Sequence, residues 1–207
     1  MTAPALDTFR STHRKPITQR IARALFSLAN WQIAPPPPDL RRFILIGAPH
    51  TSNWDGIHLL LFAAATGLRV HFLIKESWLR GPLGPLVRRL GGIAIDRSQR
   101  HNTVEQLALR FDQQENLILA VAPEGTRRYV PHWKSGFYHI ALAADVPLVL
   151  GYVDYHRRET GCGPALMLSG DSHADMDAIR AFYAGITPRF PAKAGAIRLQ
   201  TEADAAD

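Results

Sequence analysis

One cysteine, Cys162, is all that 207 residues contain. No internal disulfide can form and no thiolate cluster can hold zinc, so a reducing compartment such as the cytoplasm is expected. Long apolar runs are missing too: nothing approaches the roughly 18 consecutive apolar residues that cross a bilayer. The opening MTAPALDTFRSTHRKPITQR lacks the apolar core of a secretory signal, so export is not expected. Acid is also short. Eighteen Asp and Glu stand against 24 Lys and Arg, a net charge of +6, and the sequence pI is near 9.9. That balance favours anionic company: nucleic acid, phosphorylated metabolites, an acidic carrier protein or an anionic membrane. The basic residues form no stripe, and no stacking motif or DNA-binding signature accompanies them, which argues against nucleic acid.

What the chain has is ordinary globular composition, 46% hydrophobic and 20% charged, at a length suited to one large core. Ile17, Ile21, Leu25, Leu28 and Trp31 recur at spacings of three and four with Arg20 and Arg23 off the stripe, which predicts an amphipathic helix. Such a helix either packs on its own domain or lies at an anionic membrane surface through Ile17–Trp31. The four prolines Pro35–Pro38 then read as a stiff spacer.

From there apolar strands and helical stretches alternate. Strands are expected at Phe43–Ile46, Val70–Ile74, Ile93–Ile95, Leu117–Ala122 and Pro147–Val153, and helices at Trp54–Thr66, Thr103–Gln114 and Gly136–Ala144, with Glu76–Leu90 a broken helical stretch. After Tyr155 the pattern weakens: a loop or hairpin tip over His156–Gly163, a short strand at Ala165–Leu168 and a helix at Asp175–Tyr183. This predicts a single α/β domain, its mostly parallel central sheet flanked by helices on both faces, with an N-terminal amphipathic helix. Residues 1–38 would form an arm, helix and spacer, 39–200 the main domain, and 201–207 a disordered acidic tail.

In an open α/β sheet, ligands bind beyond the carboxyl ends of the strands. Those positions here carry His50 and Asp55, then Asp96 and Arg97, then Glu124 and Arg127. Five residues along a helix rotate the chain by about 500°, so His50 and Asp55 cannot share a helical face. His50 must sit in the strand-to-helix turn while Asp55, in the first helical turn, reaches back to it. Such an aspartate can take the Nδ1 proton bond and leave Nε2 as a general base. A plain loop histidine beside a helix cap, or an Asp55/His58 pair at i and i+3, fits the same spacing.

In this order and spacing the motifs resemble the glycerolipid acyltransferases, typified by the lysophosphatidate (1-acyl-glycerol-3-phosphate) acyltransferases. His50-Thr51-Ser52-Asn53-Trp54-Asp55 is similar to that family's His-x-x-x-x-Asp, Gly91–Arg97 to its Gly-x-x-Phe-Ile-Asp-Arg, and Glu124–Arg127 to its Glu-Gly-Thr-Arg. Trp133-Lys134-Ser135-Gly136, Val146–Val149 and the stretch from Lys75 to Gly84 extend the likeness, which runs from about Ile44 to Gly151. Pro49, Ala94, Arg128 and Leu150 depart from the family pattern.

The resemblance implies an O-acyltransferase that moves a fatty acyl group from acyl-CoA or acyl-carrier protein to a lysophospholipid hydroxyl. His50 and Asp55 would be catalytic. Arg97 and Arg127 would hold the acceptor phosphate, Glu124 would position Arg127 or the acceptor, Gly125 would admit close backbone approach, and Thr126 and Lys134 would complete the binding set. No metal and no cofactor beyond the donor is implied. The enzyme would sit peripherally on the cytoplasmic face of the membrane. A hydrolase using the same base on water, or a basic nucleic-acid-binding module, are the competing readings.

Overall fold

The computed structural model describes residues 16–37, 39–75, 80–95 and 100–204. Among them a seven-stranded sheet runs in the order β1-β7-β6-β2-β5-β3-β4. The strands are β1 (Gln32–Ala34), β2 (Arg42–Gly47), β3 (Val70–Lys75), β4 (Gly92–Ile95), β5 (Leu117–Val121), β6 (Leu148–Asp154) and β7 (Glu159–Leu166). Every pairing is parallel except the antiparallel β6–β7 hairpin. The α/β class and the mostly parallel sheet are as expected from the sequence.

β2 lies between β5 and β6, parallel to both. With both faces covered it has no polar side, which explains the unbroken run Phe43-Ile44-Leu45-Ile46, all buried. Ile44 and Ile46 join a core built with α4 (Arg100–Gln113), α5 (Gly136–Ala144) and α6 (Ser172–Tyr183). Phe43 and Leu45 face the other way, against Phe62 and Ala63 of α2 (Asn53–Thr66). Short helices α3 (Gly84–Arg89) and α7 (Gln200–Asp204) complete the set.

Helix α1 (Pro16–Leu28) packs on α2 through Ala22 and Phe26, against Ala64 and Ala65. The stripe seen in the sequence is on its other side: Ile17, Ile21, Leu25 and Leu28 are 66%, 56%, 48% and 81% exposed. No helix among the described residues is long and apolar enough to cross a membrane.

Three local readings need correction. Gln32–Ala34, between the expected helix and spacer, is a strand paired to Glu159–Gly161. The expected loop His156–Gly163 is strand from Glu159 onward, because Gly161 lies so close to β1 that a Cβ there would meet the Ala34 carbonyl at 2.3 Å. Pro164 is tolerated where the β6–β7 register shifts between Val149 and Gly151. The tail expected from 201 is helical through Asp204, because Glu202 is buried and accepts hydrogen bonds from Leu199 N and Arg180. Residues 1–15 and 205–207 lie outside the described residues.

Candidate active site

Because β5, β2 and β6 run parallel side by side, their carboxyl ends bring three connections together. The central one is the turn from β2 into α2. Ser52 caps α2, accepting from Trp54 N at 3.2 Å, and Asp55 returns the favour by accepting from Ser52 N at 2.8 Å. This reciprocal cap is worth about 1 kcal/mol or more to the helix start. The pattern Ser52-x-x-Asp55 signals it in the sequence.

The same Asp55 Oδ2 also accepts from Thr51 N at 2.9 Å and lies 3.2 Å from His50 Nδ1. Oδ1 accepts from the Tyr155 hydroxyl at 2.7 Å. Burial alone would raise the Asp55 pKa, but the bonds from His50, Tyr155 and Ser52 outweigh it and hold the carboxyl below its ordinary value. An ionised carboxylate only accepts, so His50 carries its proton on Nδ1 and Nε2 is the ring's acceptor. His58, the alternative partner, is buried, its Nδ1 without a partner among the described residues and its ring 4.1 Å from Trp31, and burial lowers its pKa.

On the β5 side Glu124 is buried, and its Oε1 accepts from the backbone N–H of His50 at 2.9 Å. Glu124 was expected to position Arg127 or the acceptor; the contact seen here is a brace on the histidine turn. Burial pushes its pKa up, and Oε2 has no partner among the described residues. Gly125 follows with φ +64°, the left-handed region, and Lys134 lies over it: a Cβ there would be 2.6 Å from Nζ. Thr126 is half-buried and its Oγ1 accepts from Arg128 N at 3.4 Å, while Arg127 is exposed. Trp133, beside Lys134, is a core residue packed on Phe137 and Tyr183. Arg97 lies outside the described residues.

On the β6 side the sequence offers no signal, yet two residues there reach the site. Tyr155 begins the β6–β7 turn. Arg189, from the segment after α6, lies over the rings of Trp54, Tyr155 and Phe190 at 5.4, 5.7 and 5.6 Å, and Phe190 N donates to Thr51 Oγ1. Beside them opens a cavity of about 470 Å³ between α1, α2 and this turn. Phe26, Trp31, Ile57 and Leu61 line it, with Arg158 and Arg189 supplying charge. Cys162 is buried, its thiol pushed up to about 12, so it is no nucleophile.

A family model described as acyltransferase matches residues 36–150. No curated protein sequence matches the chain. Among solved structures the chain is similar to the crystal structure of the 1-acyl-sn-glycerophosphate (LPA) acyltransferase PlsC from Thermotoga maritima, with a TM-score of 0.56 at 16% identity, over 82% of this chain and 76% of that one. At that identity the likeness carries the fold.

Proposed function

The chain belongs to the acyltransferase family, and from that premise we propose that it transfers a fatty acyl group from a thioester donor to a hydroxyl of a lysophospholipid such as lysophosphatidate, with His50 as general base. The observation that carries this is the 3.2 Å contact between His50 Nδ1 and Asp55 Oδ2, which leaves Nε2 to accept a proton. As the acceptor oxygen attacks the thioester carbonyl, its proton passes to Nε2. The tetrahedral intermediate then collapses, the C–S bond breaks, and the imidazolium returns the proton to the leaving thiolate. Ionised Asp55 stabilises the imidazolium in between. Atoms and charge balance without an acyl-enzyme, a metal or a cofactor beyond the donor.

The substrates suit the surroundings. Acyl-CoA, acyl-carrier protein and lysophosphatidate are all anionic, and the chain carries +6. Arg127 and Lys134 would meet phosphate on the β5 side, and by the family resemblance Arg97 would join them. The 470 Å³ cavity has the size and apolar lining of a small-molecule site and would take an acyl chain. Leu25 belongs both to the lining and to the exposed stripe of α1, so a lipid could pass from a membrane surface into the cavity. The enzyme would work peripherally at a membrane surface, which the family resemblance makes the cytoplasmic leaflet. Replacing Ile17 and Ile21 by Asp, which spares the cavity, is expected to weaken binding to anionic vesicles about tenfold or more; unchanged flotation would remove α1 from the membrane contact.

The reaction is tested by mass spectrometry of products from purified protein given acyl-CoA and a panel of lysolipids. Acylated lipid is expected, and free fatty acid formed equally without acceptor would favour hydrolysis. His50→Ala should fold and lose about 10²- to 10⁴-fold in turnover. Normal turnover in that variant rejects the base assignment.

A further inference from the structure

Asp55 has two imidazoles within its influence and serves one of them. His50 lies in the turn before it, and His58 lies three residues after it on α2, the spacing of neighbours along one helix face. A buried imidazole with an unpaired Nδ1 would gain from a carboxylate oxygen, and among the described residues His58 is in that position. Oδ1, the oxygen not engaged with the His50 turn, is already taken by the Tyr155 hydroxyl. On the reading of His50 as base, we propose that Tyr155 is a positioning residue for acyl transfer, one that commits the Asp55 carboxylate to His50 and denies it to His58.

The surroundings of Tyr155 fit that task. Its ring packs edge-on against the adjoining rings of Trp31 and His58, at 5.4 and 5.9 Å, with Arg189 over its face. Burial and the Asp55 carboxylate push the phenol well above its usual range, so it stays a donor wherever the enzyme works. With Oδ2 held by Thr51 N and Ser52 N, and Oδ1 by Tyr155, hydrogen bonds to both oxygens oppose rotation of the carboxylate. The charged and titratable groups around Asp55 are then His50 from its own turn, His58 from α2, Tyr155 from the β6–β7 turn and Glu124 from beyond β5, with Arg189, from the segment after α6, set against Tyr155. Tyr155 and Arg189 both lie beyond residues 36–150, the span the family model matches.

The test uses the full chain with steady-state kinetics. Tyr155→Phe keeps the ring and loses only the hydroxyl. It is expected to lower kcat about tenfold, with KM for donor and acceptor within about twofold. Because Tyr155 acts through the carboxylate, the same change in an Asp55→Asn background should cost less than about twofold. Wild-type kcat in Tyr155→Phe, or an equal loss in both backgrounds, overturns the proposal. Should Tyr155→Phe fail to fold, Tyr155→Gln and Tyr155→Leu are compared: the donor-bearing Gln is expected to keep more kcat, and equal values overturn the proposal. His50→Ala separates this from the reading beneath it. Normal turnover there sinks both, whereas a dead His50→Ala beside an unimpaired Tyr155→Phe sinks only the role of Tyr155.

Discussion

The two flanks of the His50 turn hold it by different means. From the β5 side Glu124 grips a backbone N–H, a group that every residue but proline offers at position 50. From the β6 side Tyr155 grips the Asp55 side chain. One contact sets where the turn lies; the other sets how the pair within it is oriented. Location and orientation are therefore separable, and substitutions on the two flanks should produce different kinds of defect.

The largest effect should come from the β5 flank. Glu124→Leu removes the acceptor for the His50 N–H and leaves that half-buried donor without its partner, so kcat is expected to fall about 10- to 100-fold. Glu124→Gln keeps a carbonyl oxygen in the same place without the charge, and should stay within about fivefold of wild type. Steady-state rates on the two variants decide the matter. If Gln behaves like Leu, Glu124 works through its charge, and the contrast between a main-chain brace and a side-chain brace is broken.

Why the two flanks differ in legibility follows from what each contact needs. The His50–Asp55 turn could be read because a five-residue spacing forbids a shared helical face and forces the histidine into the loop. The Glu124 motif was visible, but its partner was not: a backbone N–H of residue 50 leaves no mark on the sequence at 50. Tyr155 lies 100 residues from Asp55 and meets it only because β6 runs beside β2, a neighbour relation that no local periodicity carries. The parallel sheet was legible from the alternation of buried runs and helices. Strand β1 was not, since three residues are too few to show a period of two, and β7 was obscured by the glycines and proline its close packing and register shift admit.

Two glycines, one near each flank, sharpen the contrast at a smaller scale. At Gly125 an alanine would sit at φ +64°, costing about 1 kcal/mol, with its Cβ 2.6 Å from the tip of Lys134. A flexible side chain can yield, so the fold should survive while Lys134 moves. KM for the anionic substrate is expected to rise severalfold with kcat retained. Gly161→Ala instead meets backbone, 2.3 Å from the Ala34 carbonyl, and β1 would have to part from β7. That variant should lose about 1–3 kcal/mol of stability with kcat of the folded fraction unchanged. Thermal melts and saturation curves on both tell the outcomes apart, and a stability loss at Gly125 larger than at Gly161 would reverse the assignment of chemistry to one flank and sheet edge to the other.

The smallest effect is a difference of sign. Asp55 has a folded pKa below its ordinary 3.8, so its contribution to stability is complete above that value and is lost only as pH falls through the depressed one. Glu124 has a folded pKa above its ordinary 4.5, so its contribution is complete below that value and is lost as pH rises through the elevated one. Between about pH 5 and about pH 7.5 the deficit of Asp55→Asn should therefore stay constant, while Glu124→Gln should gain on wild type as pH rises, because wild type alone must ionise a buried carboxyl. Urea unfolding of the three proteins at the two pH values measures both trends. A Glu124→Gln gap that stays flat would mean the buried carboxylate is already ionised at pH 5, held charged by cationic surroundings strong enough to offset its burial. The β5 flank would then be an electrostatic brace after all, and of the two only Tyr155 would act by hydrogen-bond geometry alone.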